Sequence, residues 1–171
     1  MDEVEIVDYD PRWPGLFDQE ARRLREVLDP SLIVGLEHFG STAIPGLAAK
    51  PIIDILIAVR SLADARASFV EALRHLDYVY WAENPKQDRM FFVKGMPPFG
   101  ARRSHHVHVT EPDGEMWHRL AFRDYLRAHP EERGTYERLK RRLAAEHPTN
   151  REAYTEAKSG YVEAMMRKAI K

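Results

Sequence analysis

Short apolar runs and helical spacings alternate along the first two thirds of this chain. The runs are rich in β-branched residues and predict strands at residues 33–39, 52–59, 78–82, 90–93 and 107–110. Residues 4–7 fit either a short edge strand or an extended arm. Apolar residues three and four positions apart predict helices over residues 14–28 and after Ser61. From residue 115 onward the spacing is helical and predicts three more helices.

Several predicted helices begin with residues that can cap them. Ser61 and Thr149 each stand three positions before a carboxylate, which is the spacing of a capping box. Pro130 suits the first turn of a helix, where its missing N–H is not needed. Strands mixed with helices, followed by a helical C-terminal third, predict an α+β fold with a mixed β-sheet packed against helices. The length suits a single domain over residues 1–171.

Composition narrows the classes of protein to which the chain can belong. No apolar run approaches the roughly 20 residues of a membrane span, and the N-terminus is acidic, so we expect a cytoplasmic protein without a membrane partner. The absence of cysteine excludes disulfides and thiolate metal sites. The formal net charge of −1 argues against strong general nucleic-acid binding.

One carboxylate interrupts the most apolar of the predicted strands. Asp54 lies within a run of isoleucine, leucine, alanine and valine that predicts a buried strand. A buried carboxylate is costly without a partner, so we expect a cation, a hydrogen-bond donor or a metal beside it. Asp54 is therefore the first candidate for chemistry, with a backbone cap as the alternative.

Three histidines stand together at residues 105, 106 and 108. Because alternate side chains of a strand share a face, His106 and His108 point the same way, and His105 points the other way with Val107 and Val109. Two imidazoles in this arrangement suit a metal site or an acid/base pair. The alternative is a polar strand face with hydrogen-bonded histidines. Asp54 can be a third ligand only if the two strands adjoin.

Several other residues suit the binding of an anionic ligand. The turn at Gly40 and Ser41 can offer backbone amides to a phosphate, although ordinary tight turns look the same. Lys50 can neutralise Asp54 or reach a phosphate, and Arg89 and Arg103 flank strands near the histidines. For each of these cations the alternative is a solvated surface position.

Charged residues on the predicted C-terminal helices are expected to face solvent, as most helical charges do. These residues are Arg123, Asp124, Arg127 and Lys140. The three tryptophans, Trp13, Trp81 and Trp117, are expected to be core or interface anchors rather than platforms for a stacked base.

Five segments of the chain resemble the GrpB family, a branch of the nucleotidyltransferase superfamily with the fold of DNA polymerase β. The most specific segment is GSTAIPGLAAKPIIDILIAV at residues 40–59. The others are RSHHVHV at 103–109, LAFRDYLRAHPE at 120–131, YERLKRRLA at 136–144 and the predicted helix that contains Tyr154 and Lys158. The resemblance covers nearly the whole chain.

The resemblance implies a nucleotidyltransferase-like fold and metal-dependent phosphoryl or nucleotidyl transfer on a nucleotide or another phosphorylated small molecule. Gly40 and Ser41 match the superfamily's phosphate-binding turn, and Asp54 matches its first metal carboxylate. The second carboxylate position falls on Leu56, and the third falls on the strand of His106 and His108. The family also occurs fused to a coenzyme A biosynthesis kinase domain, which is consistent with a nucleotide or coenzyme ligand.

The expected cofactor is a divalent ion held by Asp54, His106 and His108, which would also be the catalytic residues. Mg²⁺ prefers oxygen ligands, whereas one carboxylate with two imidazoles suits Zn²⁺, Mn²⁺ or Ni²⁺. The missing carboxylates leave a second hypothesis, a binding module for a nucleotide or phosphate ligand without catalysis. A third hypothesis is a two-histidine phosphoesterase, since residues 108–110 form one H-x-T unit, but no second unit follows.

Overall fold

The computed structural model describes residues 4–170. Two helices and five strands are mixed along the chain up to β5, and three helices follow it. The helices are α1 (Trp13–Val27), α2 (Leu62–Arg74), α3 (Arg119–Ala128), α4 (Pro130–Glu146) and α5 (Arg151–Ile170). The strands are β1 (Ile33–Phe39), β2 (Ile53–Val59), β3 (Tyr78–Tyr80), β4 (Arg89–Lys94) and β5 (His105–Thr110). This is the predicted α+β fold with a helical C-terminal region.

The strands form one mixed sheet in the order β1-β2-β5-β4-β3. Strands β2 and β5 are parallel neighbours, while the other adjacent pairs are antiparallel. The chain reaches β5 from β2 through α2, β3 and β4, so residues about fifty positions apart become cross-strand partners. This crossover places Asp54 next to the histidines.

One face of the sheet packs against α1 and α2. Ile53, Ile55 and Ile57 of β2 and Val107 and Val109 of β5 are buried there, in one core that also contains apolar residues of both helices. Burial of this apolar surface is the main stabilising contribution to such a fold. Because side chains alternate along a strand, Asp54 and Leu56 lie on the opposite face.

The opposite face carries the C-terminal helices and a connecting segment. Residues 114–118 form turns with hydrogen bonds between residues three apart, so α3 begins at Arg119 and not at the predicted residue 115. Within this segment Met116 packs against Phe39 and Leu56. A second cluster joins the loop after β1 to α3, α4 and α5. Residues of both clusters line the cavity into which Asp54 projects.

The caps and the N-terminal segment agree only in part with the sequence. The Ser61 hydroxyl accepts the Asp64 amide at 3.1 Å, which confirms the predicted cap of α2. At α5 the prediction is wrong by one residue, because the side chain of Asn150 accepts the Ala153 amide at 3.0 Å. Residues 4–7 form an extended arm, held by a β-bridge between Val7 and Ala49 and by a hydrogen bond from the Val4 amide to the Pro148 carbonyl at 2.9 Å. None of the helices in residues 4–170 is long and apolar enough to cross a membrane.

Candidate metal centre and its cavity

Asp54, His106 and His108 project from two adjacent strands into the same space. Asp54 pairs with His106 in the parallel register of β2 and β5, and Leu56 pairs with His108. The alternation of each strand sends the carboxylate and both imidazoles to the face away from the α1/α2 core. His105 lies on the core side, where its Nδ1 is 2.8 Å from the Ser104 hydroxyl.

The spacing of the three side chains is that of metal ligands. Asp54 Oδ1 lies 3.3 Å from His106 Nδ1 and 3.6 Å from His108 Nε2. Charge-assisted hydrogen bonds are shorter, about 2.7–2.9 Å. Ligands of a tetrahedral ion with bonds of about 2.0–2.1 Å stand roughly 3.3 Å apart. One ligand atom from each residue lies within 4.8 Å of the others. The donor set therefore fits a divalent ion such as Zn²⁺ or Mn²⁺.

The protonation states of Asp54 and His106 also suit metal binding. Burial lowers the pKa of His106 to about 4, although the neighbouring Asp54 carboxylate opposes the shift. Burial acts to raise the pKa of Asp54, but the polar contacts from His106 and His108 outweigh it and lower the pKa. At neutral pH the site consequently holds a carboxylate beside a neutral His106 imidazole, the forms in which these side chains bind metals.

The turn after β1 is fitted closely to Asp54. Gly40 has a φ of 73°, and a Cβ built on it would lie 2.6 Å from Asp54 Oδ2. Only glycine combines this backbone conformation with this approach. His38 Nε2 lies 2.9 Å from the Thr42 hydroxyl, which donates to the Ile52 carbonyl at 3.2 Å. This chain of hydrogen bonds ties the turn to the start of β2, beside Asp54.

Most of the anion-binding candidates surround the same cavity, which has a volume of about 890 Å³. This volume is within the range typical of small-molecule sites. Its lining includes the predicted residues Gly40, Ser41, Lys50, Asp54, Arg103, His106 and His108. Arg103 is the cation nearest to the metal ligands, with its guanidinium 3.4 Å from His106 Nε2.

Arg89 does not join these residues. It pairs with Thr110 at the far end of β5 and forms ion pairs with Asp88 at 2.9 Å and Glu115 at 3.4 Å. Its side chain is buried by these contacts and does not line the cavity. Lys94, the last residue of β4, does not line the cavity either, because its ammonium group forms an ion pair with Glu20.

The family model described as GrpB protein matches residues 3–168. The chain belongs to the GrpB family. A UPF0157 protein of Pseudomonas aeruginosa is 48% identical over 170 residues, which cover 99% of this chain and 69% of that protein. The glutamate-rich protein GrpB of Alkalihalophilus pseudofirmus is 35% identical over 165 residues, which cover 96% of this chain and 94% of that protein.

The GrpB fold is also seen in a solved structure. The crystal structure of conserved protein GrpB from Enterococcus faecalis superposes with a TM-score of 0.86 at 33% identity and covers 97% of each chain. The observed α+β architecture is therefore that of GrpB.

Leu56 shows why this GrpB chain lacks room for a second carboxylate ligand on β2. Its side chain is fully buried against Phe39 and Met116. The same phenylalanine meets the ring of His108 edge-on, with centroids 5.0 Å apart. Replacement of Leu56 by a carboxylate would bury a charge among apolar groups, which is strongly unfavourable. Of the β2 side chains on this face, Asp54 is the one that offers a carboxylate to the cavity.

The structure corrects the expectation that the helical charges face solvent for Arg123 and Lys140, whereas Asp124 and Arg127 are exposed as expected. Lys140 is 1% exposed and donates to the Ala48 carbonyl at 3.0 Å. Arg123 is 9% exposed and donates to the His38 carbonyl at 2.9 Å, and Arg127 donates to the Ala43 carbonyl. These three cations hold α3 and α4 against the loop that follows β1.

The sequence contains a pattern that indicates the burial of Lys140. It stands four residues after Tyr136 and three before Leu143, which is the spacing of one helix face, and both of those residues are buried. Trp81 is not a core residue, because its side chain is 45% exposed and lines the cavity beside Phe91. Its role as an interface anchor stays a prediction.

Proposed function

We propose that Asp54, His106 and His108 bind a divalent metal ion and that this GrpB chain uses it for phosphoryl or nucleotidyl transfer on a phosphate-bearing small molecule. The observation that carries the proposal is the spacing of the three ligand atoms inside a cavity with a cationic lining. A nucleotide is the preferred substrate, in line with the resemblance to the nucleotidyltransferase superfamily. Zn²⁺ and Mn²⁺ suit the donor set better than Mg²⁺.

Each ligand has a defined part in this proposal. Asp54 supplies the single negative charge, and His106 and His108 supply nitrogen donors. A bound ion would polarise a phosphoryl oxygen or lower the pKa of a bound water. Gly40 allows the backbone to approach Asp54 closely, and Ser41 lies in the cavity lining where a phosphate group can approach the turn.

Arg103 links the metal ligands to the substrate. A metal on His106 Nδ1 requires the proton to be on Nε2, because a neutral imidazole carries only one N–H. Nε2 then cannot accept a hydrogen bond from Arg103, whose guanidinium is 3.4 Å away. Metal binding thus removes this acceptor and favours a turn of Arg103 toward an anionic ligand.

A second candidate function is a binding module that keeps the cavity without catalysis. The specific observation in its favour is Leu56, which fills the place of a second metal carboxylate with a buried apolar side chain. A single ion cannot act as the two-metal clamp that contacts both the attacking and the leaving oxygen. This candidate predicts saturable ligand binding with no product.

The test compares Asp54→Ala with Asp18→Ala, since Asp18 is exposed on α1, an element of the opposite sheet face. Each protein is titrated with Zn²⁺ and Mn²⁺ and then assayed for product across a nucleotide panel. We expect wild type and Asp18→Ala to bind one ion and to bind nucleotide more tightly with it, and Asp54→Ala to lose at least tenfold in metal affinity. Equal metal binding by Asp54→Ala would refute the metal centre. Nucleotide binding without product would favour the binding module.

A further inference from the structure

Three lysines from separate segments converge on the cavity. Lys50 belongs to the loop before β2, Lys140 to α4 and Lys158 to α5, and all three line the cavity. The Nζ atoms of Lys50 and Lys158 lie 5.0 and 5.2 Å from the centre of the Tyr154 ring. Lys140 Nζ lies 5.1 Å from the centre of the Tyr136 ring. We refer to Lys50, Lys140 and Lys158 as the lysine cluster.

No carboxylate of residues 4–170 forms an ion pair with the lysine cluster. Lys140 is fully buried and donates to one backbone carbonyl. The ammonium groups of Lys50 and Lys158 both lie over the aromatic ring of Tyr154. Contact with an aromatic face is a weaker interaction for an ammonium group than an ion pair with an anion. An anion beside the three ammonium groups would supply the counter-charge that the cluster lacks.

The charges around the lysine cluster also favour binding of an anion. Lys158 and Arg151 of α5, Arg103 before β5 and Lys140 of α4 are the cations near Lys50. The carboxylates near the cluster are Asp54, Glu137, Glu152 and Glu156. Of these, Glu137 is engaged with the Ala48 amide at 2.8 Å, and Glu152 and Glu156 are exposed. Burial, followed by the repulsion from Lys158 and Arg151, lowers the pKa of Lys50 to about 7.

Tyr154, whose ring lies beside Lys50 and Lys158, also has a buried hydroxyl with no partner among the described residues. Tyr154 is fully buried, and its hydroxyl forms no hydrogen bond within the described part of the chain. Buried polar groups of native proteins nearly always have a partner, and a missing one points to a bound water, ion or ligand.

We propose that the lysine cluster binds a phosphate or pyrophosphate group of the substrate, separate from the group that reaches Asp54, His106 and His108. The substrate class is then a compound with at least two anionic groups, such as a nucleoside polyphosphate or a bisphosphate. The anion site itself does not need the metal. Only the assignment of the bound anion to the same substrate that reaches Asp54, His106 and His108 rests on the proposed function.

The experiment uses the whole chain in EDTA, with inorganic pyrophosphate as the probe. Calorimetric titrations near pH 7.5 in two buffers with different ionisation heats measure both affinity and proton uptake. We expect saturable binding with net proton uptake, because the anion restores the charge of Lys50. The Lys50→Gln and Lys158→Gln variants should each bind at least tenfold more weakly. Lys168→Gln is the matched control, since Lys168 is an exposed lysine of the same helix outside the cavity and should bind like wild type.

Stability separates a ligand site from a structural role. We expect Lys50→Gln to unfold, in the absence of ligand, at the same temperature as wild type or higher, because an unpaired charge is removed. The rise in unfolding temperature that pyrophosphate gives to wild type should be lost. Destabilisation of the unliganded variant, or undiminished binding of pyrophosphate by both lysine variants, would overturn the proposal.

Metal binding and pyrophosphate binding together distinguish failure of the metal centre from failure of the anion site. Wild type should bind pyrophosphate in EDTA, where no divalent ion is available. If it does, and if wild type binds no divalent ion, the anion site stands and the metal centre falls. If wild type binds metal but no pyrophosphate, the lysine cluster is not an anion site.

Discussion

At the scale of single residues, the candidate site depends on the contact between Gly40 and Asp54. The backbone at Gly40 adopts a positive φ of 73°, and its α-carbon leaves no space for a side chain next to the carboxylate. Asp54 in turn faces His106 and His108 from the adjacent strand. A change at Gly40 therefore acts on the metal ligands without removing any of them.

The first prediction concerns Gly40→Ala. We expect a loss of about 1–3 kcal/mol in the free energy of unfolding, because alanine at this φ is strained. We also expect at least tenfold weaker binding of Zn²⁺, because the new Cβ would displace Asp54 Oδ2. Denaturant unfolding and calorimetric metal titration measure the two effects. Gly15→Ala is the control, since a Cβ there contacts nothing within 4 Å. Normal metal binding by Gly40→Ala would contradict the importance of this contact.

At the scale of elements, a buried carboxylate joins α1 to the edge of the sheet. Glu20 of α1 accepts hydrogen bonds from the Tyr78 hydroxyl at 2.6 Å and from Lys94 at 2.7 Å. Burial acts to raise the pKa of Glu20, but the hydrogen bonds from Lys94 and Tyr78 outweigh it, so the pKa is lowered. A lowered pKa in the folded state stabilises the protein above the unfolded value of about 4.3, and this contribution is lost as the pH falls.

The second prediction follows for Glu20→Gln. At neutral pH we expect the variant to lose about 1.5–3 kcal/mol in the free energy of unfolding, because charged hydrogen bonds are replaced by neutral ones. Below about pH 4.3 the difference from wild type should shrink, because the Glu20 carboxylate of the unfolded wild-type chain takes up a proton before that of the folded protein does. Urea unfolding between pH 3 and 7 measures both effects. Glu26→Gln, an exposed change on the same helix, should behave like wild type. A constant difference across this pH range would contradict the role given to the charge.

The elements also show what local sequence can predict. Strand β1 and the cap at Ser61 follow from local patterns and are confirmed. The adjacency of β2 and β5 does not follow, because no local pattern specifies which strands pair across fifty residues. The role of Arg123 depends on which helix face meets the loop after β1, and local sequence does not specify this, whereas the helical spacing of Lys140 with Tyr136 and Leu143 indicates its burial. Arg89 lies close to the histidines in sequence, but the antiparallel register places it at the far end of β5.

At the scale of the whole molecule, charge is distributed unevenly despite the formal net charge of −1. The cavity lining contains more cationic than anionic side chains. The cations are Lys50, Lys86, Arg103, Arg119, Arg123, Lys140, Arg151 and Lys158, and the anions are Asp54, Glu152 and Glu156. A cavity of this kind attracts small anions without making the whole surface attractive to a long polyanion.

The third prediction concerns ligand size. We expect duplex DNA to bind with a dissociation constant weaker than about 10⁻⁴ M at physiological salt, the weak limit of non-specific binding. Pyrophosphate should bind in the same buffer, with an affinity that falls as salt is added. Fluorescence anisotropy of a labelled duplex and calorimetry with pyrophosphate make the comparison. Tight duplex binding with a steep salt dependence would show that the basic surface extends beyond the cavity.

The central claim is that one carboxylate and two imidazoles from adjacent strands bind a single divalent ion. Anomalous X-ray diffraction from crystals grown with Zn²⁺ or Mn²⁺ tests it most directly. We predict one strong peak at about 2.0–2.2 Å from an Asp54 oxygen and from a ring nitrogen of each of His106 and His108. The absence of a peak between these side chains, in crystals that carry the ion elsewhere, would contradict the claim.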